Sequence, residues 1–213
     1  MKTIQLEGWP RKDHYLFYQD FDYPYFSLCA DMDITSFLPL VKQKKISFTA
    51  GIMYLVARVA NGIAEFRQRV REKDPIEHAV VHPSATVLSR DNLFAFCTVF
   101  YQDDFVTFTA HAQEEIARLK AEPSLEEKID DDCMLFMTSI PWVSFTGFHH
   151  PLKLKPADSV PRFAWGKFRE EGNRIVMPLS VQGHHALMDG LHAGLFYQEF
   201  QRLLDNPQQL IEK

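Results

Sequence analysis

Near its C-terminal end the chain reads Gln182-Gly183-His184-His185-Ala186-Leu187-Met188-Asp189-Gly190. Two adjacent histidines close an apolar run that reads as a strand, and an Asp-Gly pair then leads into a helical segment. A strand end facing a helix start is where α/β folds tend to place their chemistry. A histidine held there can work as a base near neutral pH. Metal binding is the other chemistry these residue types allow, with His184, His185, Asp189 and His192 as possible ligands. Adjacent histidines on a strand point to opposite faces, so they should not share one ion. No His-Glu-x-x-His or cysteine-rich set accompanies them either. The expectation is a base without a metal.

The rest of the chain must position these residues. With 213 residues, 46% of them hydrophobic and 18 of them phenylalanine, it can bury one sizeable core, and a single domain over residues 1–213 is expected. A net charge of −5 gives no general pull toward nucleic acid or an anionic membrane. No apolar run approaches the ~20 residues of a membrane span, and residues 1–8 lack the apolar core of a signal peptide. Cys29, Cys97 and Cys133 are an odd number without a Cys-x-x-Cys pair, as expected of reduced thiols in a cytoplasmic protein.

Residues 9–20 read as a short amphipathic helix with Tyr15 and Phe17 or Tyr18 inward. Residues 25–34 read as a strand, followed by a helix capped by Thr35 or Ser36. Between residues 49 and 72, Ile52, Leu55, Val56, Val59, Ile63, Phe66 and Val70 recur at helical spacing. They predict one long helix with Arg58, Arg67, Arg69 and Arg71 on a solvated face, ended by Asp74-Pro75. Two strands within 84–101 meet near Ser89-Arg90-Asp91-Asn92, and Asp103 or Asp104 caps a helix burying Phe105, Phe108, Ala112, Ile116 and Leu119. An acidic, solvated connection (124–132), a strand (133–148) and a loop (149–161) follow. Strands at about 162–168 and 174–182 are joined by a hairpin turn. A last helix from Asp189 buries Leu191, Leu195, Phe196, Phe200 and Leu203 or Leu204. The pattern is α/β, and the hairpins argue against an all-parallel sheet.

His-x-x-x-Asp-Gly, in the longer form Gln-x-His-His-Ala-x-x-Asp-Gly-x-His, resembles the active-site signature of the chloramphenicol acetyltransferase family. Trp9-Pro10-Arg11-Lys12-Asp13-His14-Tyr15 is similar to the family's Trp-x-Arg-Lys-Glu-His-Phe, and the stretch from Pro141-Trp142 to Phe148 to its Pro-Trp-x-x-Phe segment. Gly166-Lys167-Phe168 and the run from Val176 to Gln182 resemble the paired strands before the active histidine. Four motifs thus fall in register across nearly the whole chain. The resemblance implies a two-layer sandwich, a mixed β-sheet covered by helices, in the CoA-dependent acyltransferase fold. It implies transfer of acetyl from acetyl-CoA to a hydroxyl, the 3-hydroxyl of chloramphenicol being the leading acceptor, and hence antibiotic resistance. It also implies a homotrimer with active sites between subunits, His185 coming from one and most of the acceptor pocket from its neighbour.

By the same resemblance His185 is the general base and Ser144 the oxyanion donor. Asp189 pairs with Arg11 to hold the histidine's loop. Tyr18, Phe17 and Phe26 bind the acceptor, and Lys167 lies near the CoA 3′-phosphate. His14, His184 and His192 are structural, and direct transfer needs no cysteine nucleophile. The chain departs from the pattern at Ala164, where the family has threonine, and around Asp22-Tyr23-Pro24 and Leu93-Phe94-Ala95-Phe96. Those departures keep two rival readings open. One is the same chemistry on another hydroxyl or thiol, as in the related dihydrolipoyl acyltransferase core. The other is a degenerate homologue that binds an aromatic ligand or CoA.

Overall fold

Apolar and polar residues alternate along the strands of the main sheet and give it two unlike faces. The computed structural model describes residues 1–125, 131–154 and 158–212. The chain opens with β1 (Lys2–Thr3), α1 (Lys12–Tyr18), β2 (Tyr25–Asp33), α2 (Phe37–Gln43) and α3 (Phe48–Gly62). It continues through β3 (Gln68–Arg71), β4 (Asp74–Glu77), β5 (His82–Leu88), β6 (Phe94–Thr98) and α4 (Phe105–Ala121). The remainder is β7 (Met134–Ile140), β8 (Arg162–Gly166), β9 (Arg169–Glu171), β10 (Arg174–His184) and α5 (Gly190–Asp205).

The main sheet runs β2-β10-β8-β7-β5-β6, with β9 on β10. β7 is parallel to β5 and β8, while the other neighbours are antiparallel. The sheet is thus not all-parallel, as the hairpins argued, and is the mixed sheet that the family resemblance implied. On β10, Met177, Leu179 and Val181 join the buried cluster that includes Val56 of α3, Phe108 of α4 and Phe196 and Phe200 of α5. Burying each large apolar side chain contributes roughly 1.5–3 kcal/mol. The alternate residues Ser180, Gln182 and His184 face the other way, in register with polar or small residues of β8 such as Ala164 and Arg162.

Several expectations change. The helix predicted to reach residue 72 ends at Gly62; a 3-10 turn (Ala64–Arg67) follows, and β3 then pairs with β4. Asp74-Pro75 therefore lies in a strand, and the chain reverses at Glu72, which is left-handed (φ 61°). Arg69 is fully buried rather than solvated. Its guanidinium donates to the carbonyls of Phe66 (2.9 Å), Gln68 (2.6 Å), Asp132 (2.5 Å) and Met134 (2.7 Å), a set that helical periodicity does not reveal. Burial lowers its pKa to about 10.

β7 stops at Ile140, before Pro141, so residues 141–148 are loop rather than strand. Ser36 precedes α2 without a side-chain cap bond; Asp33 instead accepts the Thr35 N–H at 2.9 Å. Asp104 caps α4, accepting the Thr107 N–H at 2.8 Å. Leu191 and Leu195 are exposed, and α5 buries Phe196, Phe200, Leu203 and Leu204. Tyr15 is buried but Phe17 is 63% exposed. Of the expected acidic connection, residues 126–130 lie outside the described residues, and Asp132 is no solvated charge: it accepts from Arg71 at 2.8 Å. Part of the expected loop, 155–157, also lies outside them. Among the described residues no helix is long and apolar enough to cross a membrane.

Candidate active site

β10 carries His184 to its last ladder position, opposite Tyr25 of β2, and His185 leaves the sheet one residue later. His184 is buried edge-on against Tyr25 (ring centroids 5.0 Å), and its Nδ1 accepts the Ala186 N–H at 3.3 Å. Burial pushes its pKa down to about 4, so it is neutral near pH 7.

His185 sits in a different setting. Its N–H donates to the Pro24 carbonyl at 2.7 Å, and its carbonyl accepts Arg11 Nη2 at 2.9 Å. Tyr18 stacks on its ring at 4.4 Å and 10°, and the Phe26 ring lies 5.2 Å away. Nδ1 is buried and makes no hydrogen bond among the described residues. Nε2 is left as the nitrogen able to take a substrate proton. Just before the two histidines, Gly183 leaves room for Met188, whose Sδ and Cγ a Cβ there would meet.

Arg11 fixes the turn as a whole. Its Nε donates to the Ala186 carbonyl (3.0 Å) and its Nη1 to Asp189 Oδ2 (2.8 Å). Asp189 Oδ1 caps α5 by accepting the Leu191 N–H at 3.0 Å, while the Asp189 N–H donates to His192 Nδ1 at 3.1 Å. Burial alone would raise the Asp189 pKa. The Arg11 hydrogen bond, the Leu191 N–H and the nearby positive charge outweigh it and hold the carboxyl at about 2. Asp189 is thus engaged with Arg11 and the helix cap, and Arg11 joins it to the His185 carbonyl.

Ser144 stands elsewhere. Its loop is tied to β8 by Lys167 N–H donating to the Val143 carbonyl at 2.9 Å. Gly166 permits that approach, since a Cβ would lie 2.9 Å from the Val143 carbonyl oxygen and 2.8 Å from Pro178 Cγ. Ser144 Oγ accepts Arg169 Nη1 at 3.2 Å, and Asp31 grips the same guanidinium at 2.6 and 3.2 Å. Asp31 pairs with Pro178 and Tyr25 with His184. Those six residues of strand put roughly 20 Å between Tyr25 and Asp31, so Ser144 and His185 stand toward opposite ends of β2 within one chain. Neither Arg169 nor Asp31 stood out in the sequence, because no local spacing links them to Ser144.

The remaining candidates scatter. Lys167 is exposed. The exposed Phe17 ring packs on Tyr18 (5.1 Å) and Phe21 (5.2 Å), forming an outward aromatic patch beside His185. His14 is exposed, while His192 caps α5. Ala164 is fully buried between Ser180 and Thr138 in the cross-strand register.

A largely apolar cavity of about 550 Å³ opens on the sheet face away from the helices, lined by Thr86, Phe94, Phe96, Thr138, Trp142 and His150 among others. Phe94 and Phe96 belong to the stretch that departs from the family pattern. Among the described residues, His185, Tyr18 and Phe26 do not line it.

A mixed sheet with helices packed on one face and a histidine turn leaving its longest strand is the architecture of the CoA-dependent acyltransferases. A solved chloramphenicol acetyltransferase is similar with a TM-score of 0.89 and 26% identity, covering 96% of this chain and 100% of its own. The truncated catalytic core of a 2-oxoacid dehydrogenase complex from Thermoplasma acidophilum shares the fold, with a TM-score of 0.70 and 17% identity over 97% of this chain and 99% of its own. A chloramphenicol acetyltransferase of Klebsiella sp is 30% identical over 95% of this chain and 93% of its own length. One from Clostridium butyricum is 31% identical, over 98% and 97% respectively. The sequence profile of the family described as chloramphenicol acetyltransferase matches residues 1–201. The chain belongs to that family and is an acyltransferase.

Proposed function

We propose that this protein is a single-domain, acetyl-CoA-dependent O-acetyltransferase acting in the cytoplasm on the 3-hydroxyl of chloramphenicol, and that it confers resistance by that reaction. His185 Nε2 takes the hydroxyl proton as the oxygen attacks the thioester carbonyl. The C–O bond forms and the carbonyl electrons move onto oxygen, where Ser144 donates a hydrogen bond to the oxyanion. Collapse breaks the C–S bond and expels the CoA thiolate, which recovers the proton from the imidazolium. A positioned base of this kind contributes ~10²–10⁴-fold to rate.

The observation that carries this reading is the treatment of His185. Its backbone is hydrogen-bonded on both sides and its ring is stacked on Tyr18, with Nε2 left open. The roughly 20 Å of strand between Tyr25 and Asp31 supports active sites shared between subunits of a homotrimer, with His185 of one facing Ser144 and the apolar cavity of the next. The exposed Phe17, Phe21 and Tyr23 beside His185 suit a surface that a second copy covers. Tyr18 and Phe26 would then flank the acceptor, and the exposed Lys167 offers a point charge to the CoA 3′-phosphate.

Acetyl-CoA-dependent thiol release with chloramphenicol, run beside His185→Ala, tests the proposal. A wild-type rate abolished in the variant is expected. Turnover with another alcohol or thiol and none with chloramphenicol would transfer the chemistry to a different acceptor, a reading kept open by Phe94 and Phe96 in the cavity wall, where the chain departs from the family pattern. No turnover with any acceptor would leave a binding protein.

A further inference from the structure

Ser144 does not stand alone at its end of the sheet. A serine hydroxyl has one hydrogen and two lone pairs, whereas an arginine guanidinium only donates. The 3.2 Å contact from Arg169 Nη1 therefore fills a lone pair of Ser144 Oγ and leaves its hydrogen to point elsewhere. Donation into that oxygen also polarises the O–H bond, making the hydroxyl a stronger donor.

The guanidinium is itself fixed. Asp31 of β2 binds it through both carboxylate oxygens, Nη2 to Oδ2 at 2.6 Å and Nη1 to Oδ1 at 3.2 Å. Glu171 Oε1 lies 3.7 Å from Nη2. These contacts join β2, β9 and the loop that carries Ser144. Arg169 and Asp31 have side chains 40% and 43% exposed, so their ion pair alone adds little to stability. Its more specific consequence is the orientation of the hydroxyl.

We infer that Arg169, held by Asp31, is a positioning residue for Ser144: it fixes and polarises the hydroxyl that donates to the oxyanion. The inference rests on the reading of Ser144 as that donor. Arg169 need not touch either substrate, and its positive charge lies close to where negative charge develops.

The test is steady-state kinetics of the full chain with acetyl-CoA and chloramphenicol, for the wild type, Arg169→Ala, Arg169→Lys, Ser144→Ala and the double variant. Expected for Arg169→Ala is a roughly tenfold fall in kcat, with both KM values and the melting temperature little changed. The lysine variant should recover part of that loss. In the Ser144→Ala background, removing Arg169 should cost nothing further. An unchanged kcat in Arg169→Ala, the same fold loss with and without Ser144, or a rise confined to the KM for acetyl-CoA would each overturn the inference while sparing the Ser144 reading. Wild-type kcat in Ser144→Ala would overturn that reading, and this one with it.

Discussion

His185 and Ser144 lie at opposite ends of the β2–β10 pair, since His184 is in register with Tyr25 while the Asp31 that grips Arg169 beside Ser144 is in register with Pro178. About 20 Å of strand lies between Tyr25 and Asp31. In the proposed reaction the base and the oxyanion donor flank the same carbonyl, so that reading takes one of the two residues from each of two chains.

That requirement predicts complementation. His185→Ala and Ser144→Ala should each be nearly inactive alone. Co-refolded in equal amounts, they should assort at random into the proposed trimers, so that about a quarter of all interfaces pair an intact histidine with an intact serine. Activity should return to about that fraction of wild type. A mixture no better than its parts, in rings shown by mass spectrometry to be mixed, would put both residues of a site in one chain.

The Arg11 clamp gives a second expectation. Arg11→Ala removes hydrogen bonds to the His185 and Ala186 carbonyls and leaves Asp189 without its guanidinium. The pair is only partly buried, with side chains 12% and 31% exposed, so the cost should be roughly 2–3 kcal/mol in urea unfolding. The turnover number should fall by at least about tenfold as the imidazole loses its position. The sign of the pH effect follows from Asp189, whose carboxyl is held at about 2 against an ordinary 3.8. Its stabilising contribution is complete above about pH 4 and is lost as pH falls through about 2. Asp189→Asn should lack that acid limb; a variant unfolding with the wild-type profile would show that the pair is thermodynamically idle.

Gly166 links the sheet to Ser144. In Gly166→Ala the new methyl meets the Val143 carbonyl, Phe145 and Pro178 within 2.9 Å. Two of these are confined ring atoms and one is backbone, so the 141–148 loop must move. A loss of roughly 1–3 kcal/mol in stability is expected, with a fall in kcat at least as large as that of Arg169→Ala. Unchanged melting and kcat would mean that the loop shifts without consequence.

How much of this was legible in sequence depended on how local the cause was. The caps and stripes of α4 and the strand ending in His184 follow from neighbouring residues, and the structure has them. The helix expected to residue 72 failed because Ile63, Phe66 and Val70 repeat at helical spacing, while Arg69 must bury its guanidinium among the carbonyls of Phe66, Gln68, Asp132 and Met134. Leu191 and Leu195 are exposed because each sits five residues before Phe196 or Phe200, about 140° around α5 from the buried stripe. The Arg11–Asp189 contact was reached only through family likeness, being 178 residues apart in sequence. Arg169 and Asp31, separated by 138, had no such guide.

Stability should also depend on pH through His150, which is neither His185 nor Ser144. His150 is half-buried in the cavity wall, and its two ring nitrogens are buried with no hydrogen bond of ordinary geometry among the described residues, although Gln182 lies near. Burial first, and the charge of Arg162 second, push its pKa down to about 4. The unfolded chain takes up this proton near pH 6.5, and the native chain only near 4. His150 therefore contributes stability that is complete above about pH 6.5 and is lost as pH falls toward 4. His184, also held at about 4, acts in the same sense. His150→Leu keeps the volume and removes one titration. Its unfolding free energy in urea should equal or exceed the wild type's by about 1 kcal/mol at pH 7, and its decline between pH 6.5 and 4 should be shallower. An equally steep decline in the variant would mean that the His150 imidazole is already protonated in the native state.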